Sequence, residues 1–344
     1  MKLRDFILRR IILAIPVVFG VLTITWFLSY VVGDPLAMYV TERTPDSAIP
    51  GIIRARGLDQ PLIVQYFVYL SNLFQGDWGV STSTGADAPV LEVLARLFPA
   101  TIELSIVAMI IAVVLGIPLG IISATRKDKA VDHVTRVFAL TGVSMPIFWF
   151  GLMLKYVLFY QFSVWELPHL PGGDRYNIRA FTWTPTTGFL LIDSLIFDHN
   201  PGLFMDALVH LIMPGFCLGY ITLAIITRMM RSSMLEVIKE DYITLAKSKG
   251  LTERVVIYKH ALRNALIPTV TVIGLAFGGL ITGAVLTETI FNWPGLGRWA
   301  TRAILNSDMA AINGFTLLVA FIFVTANFIV DMIYGVLDPR IRFG

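Results

Sequence analysis

A chain of 344 residues that is 56% apolar and 15% charged, with a mean hydropathy of +0.73, is too oily for an ordinary soluble domain, which is roughly 45–50% apolar and about 25% charged. The net charge of +3 is modest, and the basic residues are too dispersed for a nucleic-acid footprint. The lone cysteine, Cys217, lies inside an apolar block, which excludes an internal disulfide framework or a thiolate metal cluster and leaves a small buried hydrophobe.

Six apolar blocks, near 11–32, 100–124, 134–160, 208–230, 265–287 and 314–336, reach the length of about 20 residues that a helix needs to cross ~30 Å of hydrocarbon. In lipid each must be helical, because only then does a lone segment satisfy its own backbone hydrogen bonds. The first block follows Arg4, Arg9 and Arg10 like a secretory signal. It is too long for a signal's apolar region, and no small-residue cleavage site follows Val32, so it reads as an uncleaved span.

The segment 33–99 is too polar and too broken by Pro and Gly for lipid. Gly33-Asp34-Pro35 ends the first span, Leu62 to Phe74 has the spacing of a short amphipathic helix, and Gly76-Asp77-Trp78-Gly79 reads as a tight turn. It is expected to form a small extracytoplasmic subdomain. Gly116-Ile117-Pro118 is a possible kink in the second span, and Lys155, near the outer end of the third, is expected to snorkel to the interface. Asp331 is read likewise at the inner end of the sixth. The stretch 161–207 is loop-rich, with Pro171-Gly172-Gly173 and Thr184-Pro185.

Orientation follows from Lys and Arg in short loops. With the N-terminus inside, the inner segments hold Lys2, Arg4, Arg9 and Arg10, then Arg126, Lys127, Lys129 and Arg136, then eight more from Arg228 to Arg263, and finally Arg340 and Arg342. The short outer segments hold only Arg175, Arg179, Arg298 and Arg302. Both ends are therefore expected in the cytoplasm, with 337–344 as a tail.

The longest inner loop, 231–263, carries a helical stripe at Leu235, Ile238, Tyr242 and Leu245. Gly250 is suited to a left-handed cap, and Thr252 with Glu253 to a new helix start. Two helices meeting at a glycine make a protruding elbow. On spacing alone an amphipathic helix lying on the inner leaflet fits as well.

Chemistry is scarce. There is no G-x-x-x-x-G-K-[ST] phosphate loop, no H-E-x-x-H, no paired Cys-x-x-Cys and no G-x-S-x-G, and the five histidines lack ligand spacing. No catalytic, cofactor-binding or metal-binding residue is expected. A stand-alone secondary carrier, which usually needs midplane acids or broken helices, and an intramembrane enzyme are the competing classes.

The run Asp241-Tyr242-Ile243-Thr244-Leu245-Ala246-Lys247-Ser248-Lys249-Gly250-Leu251 resembles the conserved loop of ABC importer permeases, and His260 to Pro268 resembles the form carried by the peptide and nickel branch. Gly33-Asp34-Pro35, Gly76-Asp77-Trp78-Gly79, Ser144 to Trp149, Glu288 to Arg298 and Asp338 to Arg342 look like that branch too, with the order and spacing of the B-type permease of dipeptide importers. The general loop's Glu-Ala-Ala is reduced here to Ala246, and its proline comes late, at Pro268.

The resemblance implies an all-α, six-span type I importer permease in a prokaryotic cell membrane. It would pair with a second, related permease, dock on two cytoplasmic ATPases that hold ATP and Mg, and receive substrate from an extracytoplasmic binding protein. Asp241, Tyr242, Leu245, Ala246, Lys249, Gly250, Leu251 and Glu253 would form the ATPase-coupling element, with Tyr242, Leu245 and Ala246 packed in a partner's groove. Trp293, Pro294, Gly295 and Gly297 would shape an outer gate or a binding-protein dock. Trp78 and Trp293 read first as interfacial belt residues. Dipeptides or short peptides are the implied cargo; nickel complexes and oligosaccharides are alternatives.

Overall fold

The computed structural model describes residues 3–40, 44–84 and 87–337. The motif from Asp338 to Arg342 lies outside them, as does Lys2, and so does nearly all of the expected tail. Among the described residues, six helical segments are long and apolar enough to cross a membrane: Ile7–Val32, Val90–Thr125, Ile147–Val164, Pro201–Val237, Glu253–Ile290 and Met309–Ile329. Among the described residues the strands are confined to one short antiparallel pair, Val80–Ser81 with Ala88–Pro89.

Helix α1 (Leu3–Phe27) continues through a wider turn to Val32 and exposes Leu8, Ile12, Leu13, Ile15 and Phe19, as a lipid-facing helix should. Helices α2 (Ile49–Ala55) and α3 (Leu62–Phe74) follow. At the Gly-Asp-Trp-Gly turn both glycines adopt positive φ, +84° at Gly76 and +85° at Gly79. A Cβ on Gly79 would lie 2.9 Å from the Met38 carbonyl oxygen. Asp77 of this turn pairs with Arg56.

The second span, α4 (Val90–Thr125), begins ten residues before the apolar block does. Its first turns are helical because Val90, Val93 and Leu94 pack into an aromatic-rich cluster with Tyr30, Met38, Tyr69 and Trp299. The helix runs unbroken through Gly116 and Pro118.

The third apolar block is not one helix. It divides into α5 (Ala130–Ser144) and α6 (Ile147–Lys155), the latter prolonged by a wider turn to Val164. Pro146 has no N–H to donate and forces Met145 into an extended conformation (φ −89°, ψ 128°). Lys155 does not snorkel freely. Its Nζ donates to the Ile290 carbonyl at 3.1 Å, where a cation suits the negative end of a helix.

The fourth span, α7 (Pro201–Val237), is capped by Asn200, whose Oδ1 accepts from Leu203 N at 3.0 Å. It is the most buried of the six. It packs along α4 through small residues: a Cβ on Gly120 would lie 2.6 Å from Met230 Cβ, and one on Gly219 would lie 2.5 Å from the Ala108 carbonyl oxygen. Close backbone approach at small residues is how membrane helices gain packing that lipid cannot offer. After α8 (Asp241–Ser248) come α9 (Leu262–Ile290), α10 (Leu296–Leu305) and α11 (Met309–Leu337).

Asp308 ties the short hairpin to α11. Its Oδ1 caps the helix at Ala311 N (3.0 Å), while Oδ2 accepts from Ser81 Oγ, Thr82 N, Ser83 N and Ser83 Oγ at 2.8–3.0 Å. At the start of α5, outside the apolar spans, buried Asp132 accepts two bonds of 2.8 Å from Arg231 and one of 2.5 Å from Ser123. The Arg231 hydrogen bonds hold the Asp132 carboxyl well below the usual carboxylate range.

Candidate functional site

Two regions carry the residues singled out in the sequence, on opposite ends of the span bundle. The first is the elbow. The predicted stripe is split, because α7 stops at Val237 and Glu240 turns extended (φ −67°, ψ 146°) before α8 begins. Leu235 and Ile238 thus close one helix, while Tyr242 and Leu245 belong to the next.

Helix α8 is anchored by Ile243 and Ala246, three residues apart and buried against Met230, Met234, Val256, Ala261 and Ala265. Ala246 therefore faces the protein's own core and is not offered to a partner. Ile243, which the stripe omitted, is its fully buried companion. The opposite face is open: Tyr242, Leu245 and Leu251 are 38%, 56% and 40% exposed, ringed by exposed Asp241, Lys247, Lys249 and Glu253. Tyr242 does not hang loose, since Asn264 Nδ2 donates to its hydroxyl at 2.7 Å. This braces the knob against the entry to α9.

Gly250 ends the helix at φ +75° and donates its N–H to the Lys247 carbonyl at 2.9 Å. No atom lies within 4 Å of the place its Cβ would take, so the requirement for glycine is one of backbone angle. Thr252 precedes the next helix at Glu253 without a side-chain cap bond. A wider turn, Val256–Ala261, then leads into α9.

At the other end, Trp293, Pro294, Gly295 and Gly297 do come together, around a residue not singled out before. Glu288 is fully buried. Its Oε1 accepts from Thr101 Oγ1 at 2.7 Å and its Oε2 from Arg298 N at 3.0 Å, and Thr101 Oγ1 in turn accepts from Leu296 N at 2.9 Å. Gly295 is small because the carboxylate occupies the space of a side chain; a Cβ there would lie 2.5 Å from Glu288 Cδ. Gly297 passes against α9, where a Cβ would lie 2.9 Å from Val285 N.

Trp293 is not a belt residue. It is fully buried and donates Nε1–H to the Ala100 carbonyl at 2.9 Å. Trp78, half-buried, donates to the Leu73 carbonyl at 3.2 Å. Arg175, expected only as a loop charge, is buried against Glu103 at 2.5 Å, with its guanidinium 4.9 Å from the Trp183 ring and 5.8 Å from the Trp293 ring. Glu103 also accepts from Leu191 N at 2.8 Å. These buried acids each accept from nearby donors and so lock loops onto helix ends. Glu288 was visible only as part of a longer motif. Glu103 gave no periodic signal at all.

The comparisons bear on the whole arrangement. Residues 116–343 match the family described as binding-protein-dependent transport system inner membrane component, and residues 3–105 match the N-terminal portion of the same kind of membrane component. The chain belongs to that family. Curated relatives cover it almost end to end. A probable D,D-dipeptide transport system permease of Escherichia coli (strain K12) is 45% identical over 95% of this chain and 94% of its own length. The dipeptide transport system permease of the same strain is 44% identical over 98% of both chains. An oligopeptide transport system permease of Bacillus subtilis (strain 168) is 33% identical over 98% of this chain and 99% of its own. This permease is therefore a mostly helical, multi-pass membrane component of a bacterial-type ABC transport system, as its sequence motifs implied.

Proposed function

We propose that this permease forms half of the pathway of an ATP-driven importer of dipeptides or short peptides, paired with a second, related permease. The observation that carries the substrate class is the near-complete overlap, at 44–45% identity, with curated permeases for dipeptides and for di- and tripeptides. The elbow side faces the cytoplasm in this reading, which the excess of Lys and Arg on that side supports. Both chain ends then lie inside, and the α3 and hairpin region with the Glu288 knot lies outside.

Two cytoplasmic ATPases hold ATP and Mg, for which this sequence has no phosphate loop. One of them receives the Tyr242–Leu245–Leu251 knob in a groove, with Asp241, Lys247, Lys249 and Glu253 on the rim. An extracytoplasmic binding protein delivers peptide to the face held by the Glu288 knot. Ile243 and Ala246 make the knob rigid, so that force applied to it passes into α7 and α9.

The test is reconstitution of the four-subunit complex in vesicles with its binding protein. Dipeptide-loaded binding protein should stimulate ATP hydrolysis and uptake, and Leu245→Asp should abolish both while the subunit still inserts. Stimulation by nickel complexes or oligosaccharides but not by peptides would overturn the substrate. Uptake by this subunit alone would overturn the machinery.

A further inference from the structure

On the elbow side, a crevice of about 590 Å³ opens between α5 and α7, clear of both regions described above. Its floor is made of small buried side chains, Ala139, Ala224 and Thr227, which keep the groove between the two helices from being filled from below. Its rim changes character with depth. Near the chain turn at 126–129 stand His133, Arg136, Arg228 and Ser232; from the next residues of α5 onward the rim is Val137, Leu140 and Val143. Those three apolar side chains are 61%, 65% and 47% exposed, as they would be against a hydrocarbon chain.

Charge in the crevice is unbalanced. Arg231 is neutralised by Asp132, but Arg136 and Arg228 have neither hydrogen bond nor ion pair among the described residues. Two free guanidiniums at the membrane surface above an apolar slot match one chemistry: a phosphate head with an acyl tail. Guanidinium forks suit phosphate oxygens, and basic pockets between membrane helices attract anionic headgroups.

We propose that this crevice binds one anionic phospholipid of the cytoplasmic leaflet, its phosphodiester between Arg136 and Arg228 and its acyl chain along Val137, Leu140 and Val143. The leaflet rests on the orientation proposed above; the head-and-tail fit does not.

The test uses the intact importer complex, purified in detergent and titrated with phosphatidylglycerol or phosphatidylethanolamine, with bound lipid counted by native mass spectrometry. Phosphatidylglycerol should be retained preferentially. Arg136→Gln and Arg228→Gln should each weaken retention about fivefold, and the pair about twenty-five-fold. Leu140→Trp, which fills the slot and leaves both charges, should also expel the lipid. Equal retention of both lipids, or unchanged retention in the double variant, overturns the site. Displacement of the lipid by inorganic phosphate as readily as by phosphatidylglycerol would show an anion site without a tail, and also overturns it. Cross-linking of a Leu140→Cys variant to the second permease would show that protein covers the crevice, with the same consequence. A Lys127→Cys variant labelled only from the exterior would refute the leaflet and the orientation together, while leaving the lipid count to decide the site.

Discussion

Gly295→Ala perturbs a position where the space for a side chain is already taken. The new Cβ would lie 2.5 Å from Glu288 Cδ and 2.6 Å from Oε2, well inside van der Waals contact. The carboxylate cannot retreat without releasing Thr101 Oγ1 or Arg298 N. Leaving a buried donor unsatisfied costs about 1–3 kcal/mol, so losing one hydrogen bond and bending the loop should cost about 2–4 kcal/mol. Glu288→Ala orphans both donors and should cost about 2–5 kcal/mol by the same reasoning. The double variant decides the matter. With the carboxylate gone, the new methyl enters vacated space, so the second substitution should add little, and the coupling between the two should be about 2 kcal/mol. Equilibrium unfolding in detergent micelles, for wild type, both single variants and the double, reads this directly. Additive costs, or a Gly295→Ala variant as stable as wild type, would refute the claim that the carboxylate is what excludes a side chain there.

Gly250→Val should introduce roughly 1–2 kcal/mol of left-handed strain without a clash; in the reconstituted complex, peptide uptake should fall while ATP hydrolysis persists, and Gly250→Asn should be milder. Equal uptake by wild type and Gly250→Val would remove the elbow from the coupling path. Asp308→Ala removes a helix cap and the acceptor of four donors, for a loss of about 2–4 kcal/mol, and limited proteolysis should then cut at the 80–89 hairpin. Arg175→Ala strands the buried Glu103 and should destabilise by about 3–5 kcal/mol, measured as the unfolding midpoint, whereas replacing both partners with apolar residues should cost much less. Because the Asp132 carboxyl is depressed in the folded protein, its stabilising effect is complete above the unfolded value near 4 and fades as pH falls below it. The stability gap between wild type and Asp132→Asn should be flat from about pH 5 to 8 and narrow by about pH 3, followed by the same unfolding assay.

The spans were legible because lipid demands long apolar runs, and five of the six blocks found in the sequence each lie on one continuous helical segment, the third on two. Their ends were less so. Val90 to Pro99 is helical because it packs on Tyr69 and Trp299, which hydropathy does not register. The break in the third block was written in Pro146, but an apolar run conceals a helix boundary when both halves present apolar side chains outward. At the elbow the periodicity of Tyr242 and Leu245 identified the open face. Ile243 anchors the other side, and only the path of α7 explains it. Glu103, Glu288 and Arg175 escaped notice because a charge looks alike in sequence whether water or a buried partner satisfies it.

Helix α7 runs for 37 residues from its Asn200 cap to Val237, about 55 Å at the usual rise and far longer than the hydrocarbon is thick. One end carries the knob at its tip and the other receives the loop that bears Arg175. A stiff strut of that length, continuous through Pro214 and clamped along α4 by glycines, carries a displacement at one surface to the other. Tilting it as a rigid body would turn a small sideways step at one surface into an opposite step at the other.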